Sequence, residues 1–149
     1  MLGKLLTHFF ENVIWDDETD YIIIDLPPGT GDVPLDIHSF VPDAKMVLVT
    51  TPHPNASHVA LKAGLGAKEM GHQVIGVVEN MSYFECPDCK KRYEIFGKST
   101  VNETAEEFGI NVIAKIPIDT RLVNAADKGA IELFEGDWLE GIADVLENA

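Results

Sequence analysis

The chain has 149 residues, 46% of them hydrophobic, with 25 acidic against 11 basic side chains and a formal charge of -14. That is the size of one domain with enough apolar content for a substantial core, so disorder is excluded as a default. The acidic balance opposes bulk attraction to nucleic acid or to an anionic membrane, and no apolar run approaches the ~20 residues of a membrane-spanning helix.

The first ten residues, Met-Leu-Gly-Lys-Leu-Leu-Thr-His-Phe-Phe, are apolar with one lysine but lack the small-residue cleavage site of a secretory leader. They predict an amphipathic helix in a cytoplasmic protein, where two cysteines are thiols or metal ligands and not a disulfide. Four short runs rich in β-branched residues follow at Tyr21 to Ile24, Met46 to Val49, Val74 to Val78 and Val112 to Ile116. None alternates cleanly with polar residues, which is the pattern of strands covered on both faces. Asn55 to Met70 and Ser99 to Phe108 are long enough for helical crossovers between them. The expected fold is therefore α/β, a mostly parallel sheet with flanking helices in a single domain over 1–149. Gly71 and Gly109 stand at helix C-termini, Asp119 caps a helix through Ala126, and Gly136-Asp137 starts a last helix ending near Leu146. The acidic residues of that region, Glu132, Glu135, Asp137, Glu140, Asp144 and Glu147, read as a solvated face.

Two stretches carry chemistry. In "DYIIIDLPPGTGD" the buried run delivers Asp25 to the C-terminal end of a parallel strand, the edge at which open α/β sheets bind ligands. Asp25 could hold Mg²⁺, while the glycines that follow let backbone N–H groups approach a terminal phosphate. A strand ending in a capped turn explains the same residues without a ligand. A Gly-rich loop ending in Gly-Lys-Ser/Thr does not occur in the 149 residues; Gly97-Lys98-Ser99-Thr100 lacks both the earlier glycine and a leading strand. The second stretch, residues 82–96, holds Cys86 and Cys89 in a Cys-Pro-Asp-Cys turn flanked by aromatic residues, which suggests a hairpin knuckle. Two thiolates can share one metal, but tetrahedral zinc or an iron–sulfur cluster needs about four ligands. A second copy of the chain, a histidine, or a redox or structural role for the pair would each account for the shortfall. Lys90, Lys91 and Arg92 either offset thiolate charge or form a solvated loop. His53 reads as a turn residue, and Phe9, Phe10, Trp15, Phe108, Phe134 and Trp138 as packing.

Taken together, "DYIIIDLPPGTGD", "VLVTTPHPNA", "GVVENMSYFECPDCKKRYEIFG" and "IPIDTRL" resemble, in that order, the Mrp/ApbC-type iron–sulfur cluster carrier ATPases, a MinD-like branch of the P-loop NTPases. The likeness runs from about Leu2 to Ile131. It implies that Asp25 is the Walker B-type carboxylate of the Mg²⁺ shell, and that Pro28 to Asp32, with Gly29 and Asp32 in catalytic positions, sense the terminal phosphate of ATP. Asn80, Pro117 and Asp119 would surround the adenine. Cys86 and Cys89 would pair with their symmetry mates to hold one [4Fe-4S] cluster across a homodimer, for delivery to apo iron–sulfur proteins. A non-catalytic zinc-binding or dimerisation module is the alternative. Similar members carry a strand, a lysine-containing phosphate loop, its helix and the first switch upstream of the position of Met1. The chain thus resembles the C-terminal part of such a carrier, expected to expose sheet edges and an apolar face, to bind ATP weakly or not at all and to have negligible hydrolysis alone.

Overall fold

A computed structural model describes residues 2–27, 37 and 39–148 of the chain. Helix α1 (Leu2–Asn12) forms where the amphipathic pattern requires it. Its Phe9 meets Trp15 edge-on with ring centroids 5.1 Å apart, and Phe10 stacks on Phe40 at 6.3 Å. Three parallel strands follow, β1 (Lys45–Thr50), β2 (Gln73–Glu79) and β5 (Val112–Lys115), in the order β1-β2-β5. Helix α2 (Pro54–Glu69) crosses from β1 to β2, and α3 (Val101–Glu107) precedes β5. A two-stranded antiparallel hairpin, β3 (Phe84–Glu85) with β4 (Arg92–Tyr93), projects between β2 and α3. Helix α4 (Thr120–Asp127), a 3-10 turn (Ile131–Leu133) and α5 (Glu140–Glu147) complete the described chain.

The core lies between one sheet face and the two crossover helices. Helix α2 buries Ser57, Leu61, Gly64 and Ala67, a single stripe at helical spacing. Leu61 packs with Leu48 and Val77 of the sheet and with Val101, Ala105 and Ile110. Lys68 at the end of α2 donates to the Phe108 and Gly109 carbonyls at 3.2 and 3.0 Å, answering acceptors left open where α3 ends. Gly71 and Gly109 follow these helices at φ +91° and +61°, a backbone region in which an L side chain is disfavoured. On the opposite face α5 rests on β5 and β2, over buried Val78 and Ala114.

Residues 21–24 do not form the expected strand. They belong to no strand among the described residues, with Ile23 94% exposed. A β-rich run becomes a strand only beside a partner that takes up its N–H and C=O groups. Among the described residues the sheet ends at β1, whose Val49 is itself 62% exposed. The last helix also starts later than Gly136-Asp137, at Glu140, and no side chain caps it. The six acidic residues of this region are exposed, as a solvated face requires.

A polar row crosses the sheet at its C-terminal edge, where Thr50, Glu79 and Lys115 are register partners. The Glu79 side chain is 0% exposed, and Nζ of Lys115, whose side chain is 39% exposed, stands 3.1 Å from its Oε2. The contact is an ion pair without hydrogen-bond alignment, since neither carboxylate oxygen has a directed donor among the described residues. Removing one partner of a buried pair strands the other, which costs more than removing both. Lys115→Met should therefore lower the unfolding free energy by about 3 kcal/mol in urea titrations. Glu79→Met combined with Lys115→Met should recover most of that loss.

Candidate functional site

The C-terminal ends of β1, β2 and β5 form one edge, the side on which α/β sheets place ligands. Asn80 N–H donates to the Thr50 carbonyl at 2.7 Å, Ile116 N–H to Glu79 at 2.9 Å, Ser82 N–H to Ile116 at 2.8 Å and Ile118 N–H to Tyr83 at 2.7 Å. This ladder continues past the strands and sets half-buried Asn80 on the segment paired with that of buried Pro117. Asn80 Oδ1 accepts from Met81 N–H at 2.9 Å, and Met81 is held at φ 56°.

Asp119 caps α4, accepting from Arg121 N–H at 2.8 Å, and its carboxylate also accepts from Arg121 Nε at 3.1 Å and Nη2 at 2.6 Å. The Arg121 side chain, with its backbone N–H and charge, holds the Asp119 carboxyl below the usual range, and the guanidinium is raised in turn. His53 Nδ1 accepts from Asn55 N–H at 3.3 Å and caps α2, which is the turn role expected for it. Asp25 is exposed on the unpaired segment, and no hydrogen bond or ion pair ties it to this edge among the described residues. Gly29 and Asp32, with the rest of the Pro28 to Asp32 stretch, lie outside the described residues. Among the described residues, one cleft of about 460 Å³ lies beside Gly109 and Ile110 and another of about 460 Å³ between the starts of α2 and α3.

The cysteines stand at the tip of the β3–β4 hairpin, as the flanking aromatic residues suggested. Phe84 pairs with Tyr93 and Glu85 with Arg92. Cys86 N–H donates to the Lys91 carbonyl at 3.0 Å and Lys90 N–H to the Cys86 carbonyl at 2.9 Å, closing the tip with Lys90 at φ 58°. Cys86 is half-buried, Cys89 is exposed, and both are free thiols. The backbone N–H groups of Cys89 and Asp88, the Cys89 side chain and the Lys90 charge pull the Cys86 thiol below its ordinary value. The basic triplet braces the hairpin. Arg92 pairs with Glu85 at 3.2 Å and lies 4.4 Å over the Tyr83 ring, Lys90 reaches Glu85 at 4.0 Å, and Lys91 sits 5.3 Å over Tyr93. No cluster of three or more metal-ligating side chains forms among the described residues, so the tip offers two sulfur ligands. Met81, Tyr93, Ile95 and Phe96, near the tip in the chain, are exposed.

Residue-level reading missed the Glu79–Lys115 pair, the Asp119–Arg121 pair and the Met81 turn. The second was signalled by an arginine two residues after a capping aspartate. The first depends on strand register, which no local pattern shows.

The architecture is an α/β fold in which a parallel sheet is flanked by helices. It matches the cell division ATPase MinD of Pyrococcus furiosus with a TM-score of 0.61 at 19% identity, over 99% of this chain and 57% of that one. It also matches the nucleotide-binding protein from Archaeoglobus fulgidus, solved in complex with ADP, with a TM-score of 0.82 at 40% identity, over 93% and 57%. A family model for the NUBPL iron-transfer P-loop NTPase matches residues 1–145, and the chain belongs to that family. The iron-sulfur cluster carrier protein of Bacillus subtilis is 48% identical over 118 residues, 79% of this chain and 33% of its own length. That of Methanocaldococcus jannaschii is 39% identical over 125 residues, 83% and 43% respectively. The chain thus spans less than half the length of these curated relatives. No helix among the described residues is long and apolar enough to cross a membrane.

Cys86 should react with iodoacetamide along a pH curve whose midpoint lies below the ~8.5 of a free thiol. Lys90→Glu, which replaces a cation that favours the thiolate with an anion that opposes it, should move the midpoint upward when Cys86 alkylation is followed by peptide mass spectrometry.

Proposed function

We propose that this chain is the cargo-holding part of an iron–sulfur cluster carrier, in which Cys86 and Cys89 and the same pair from a second copy grip one [4Fe-4S] cluster. The observation that carries the reading is the β3–β4 tip, two free thiols with one lowered toward thiolate and, among the described residues, no third ligand beside them. Soft sulfur donors suit iron–sulfur clusters or zinc, and a two-fold axis turns two thiolates into four. The apolar residues beside the tip give a second copy a surface to bury, and Lys90 offsets the negative charge that four thiolates collect. Delivery to apo iron–sulfur proteins is ligand exchange, each iron–sulfur bond to Cys86 or Cys89 being replaced by one to an acceptor thiolate with no change in electron count.

In the whole carrier, ATP would sit at the β1-β2-β5 edge. Asp25 would position the Mg²⁺ shell, Gly29 and Asp32 would face the terminal phosphate, and Asn80 and Pro117 would meet the adenine. Asp119, already engaged by Arg121, would shape the adenine turn as a helix cap more than as a free acceptor. With no lysine-containing phosphate loop in the 149 residues, this chain by itself lacks the charge stabilisation that phosphoryl transfer needs, so it binds ATP weakly and does not hydrolyse it. Free thiols of this kind persist in a reducing cytoplasm, where we place the protein.

Anaerobic reconstitution with iron and sulfide tests the reading. The wild-type chain should gain the broad visible absorbance of a thiolate-bound cluster, and Cys86→Ala and Cys89→Ala should each lose it. Stoichiometric zinc without that absorbance would instead favour a non-catalytic zinc-binding or dimerisation module. Calorimetric titration of the same chain with ATP–Mg²⁺ should show no binding at micromolar concentrations, and tight binding would contradict the role given to the phosphate loop.

A further inference from the structure

Between Asn80 and Cys86 the chain must turn out of the sheet, and it does so at one residue. Asn80 N–H still donates to Thr50 on β1, whereas Ser82 N–H donates to Ile116 beyond β5. Met81, between these two partners, is exposed and lies in the left-handed region at φ 56°. An L side chain is disfavoured there because Cβ crowds the following carbonyl, so something must hold the turn. Asn80 Oδ1 does so, accepting from Met81 N–H at 2.9 Å. Only the oxygen of an amide can answer an N–H donor, which fixes the orientation of this side chain. Its Nδ2 donors and the second lone pair of Oδ1 have no partner among the described residues.

We propose that Asn80 is a positioning residue for the cysteine hairpin. Through Oδ1 it holds the left-handed Met81 turn, and this turn sets where Cys86 and Cys89 stand relative to the sheet. The proposal rests on the carrier reading and deepens it, because the side chain assigned there to the adenine lies six residues before the first thiol. A base that draws on the remaining amide donors would then pull on the group that launches the hairpin.

Amide hydrogen exchange, followed residue by residue by NMR without iron or nucleotide, tests this. Asn80→Ala should speed exchange at Ser82, Cys86 and Ile118 about fivefold, the scale of one lost hydrogen bond. Val77, whose N–H donates to Asn111 within the core ladder, should not change. Asn80→Asp keeps an oxygen acceptor and should exchange like wild type. Adding Met81→Gly to Asn80→Ala relieves the Cβ conflict and should restore most of the protection. Unchanged exchange in Asn80→Ala, a loss that reaches Val77 equally, or failure of either rescue overturns the proposal. A chain that takes up no cluster would overturn the carrier reading and leave these exchange rates as they are.

Discussion

Strand β2 has a parallel neighbour on each side, and Asn80 and the cysteine hairpin follow its C-terminal end. Its last residue, Glu79, is a fully buried carboxylate balanced by Lys115 of β5, with Thr50 of β1 as its other register partner. Such a group is costly to uncover or to leave unpaired, so the three strands are held in fixed alignment where the sheet meets its ligand edge. The alignment then passes along the chain. Asn80 follows at once, Met81 makes the turn, and the hydrogen bonds of Ser82 to Ile116 and of Ile118 to Tyr83 tie the start of the hairpin segment to the chain beyond β5.

The second constraint is arithmetic in ligands. One hairpin tip supplies two sulfurs, and tetrahedral iron or zinc chemistry asks for about four donors. In the carrier proposed above a second copy would supply the rest, because symmetry would duplicate the lowered Cys86 thiol and the Lys90 charge together. Local and global electrostatics serve different ends in this arrangement. The net charge of -14 opposes bulk attraction to polyanions, while Lys90 beside Cys86 favours its thiolate form.

Much of this was legible in the residues themselves. The runs at 46–49, 74–78 and 112–116 became strands because each has a neighbour in register, and the intervening helices end at the glycines expected to stop them. Asp119 caps α4 and the cysteines sit on a hairpin, both local consequences of local patterns. The run at 21–24 has equally strong β composition and is not a strand, since composition supplies a surface for pairing but not the partner. Glu79 with Lys115, 36 residues apart in sequence, was invisible for the reason that register is a property of the assembled sheet. The Met81 turn was hidden because methionine gives no sign of a left-handed backbone; the asparagine before it was the usable clue.

The account stands on cysteine pairs from two chains sharing one inorganic centre, and native mass spectrometry of the anaerobically loaded protein addresses that most directly. The expected species is two polypeptides plus a single four-iron, four-sulfide unit, falling apart into bare single chains when the unit is chelated. A single polypeptide retaining the whole unit would contradict it.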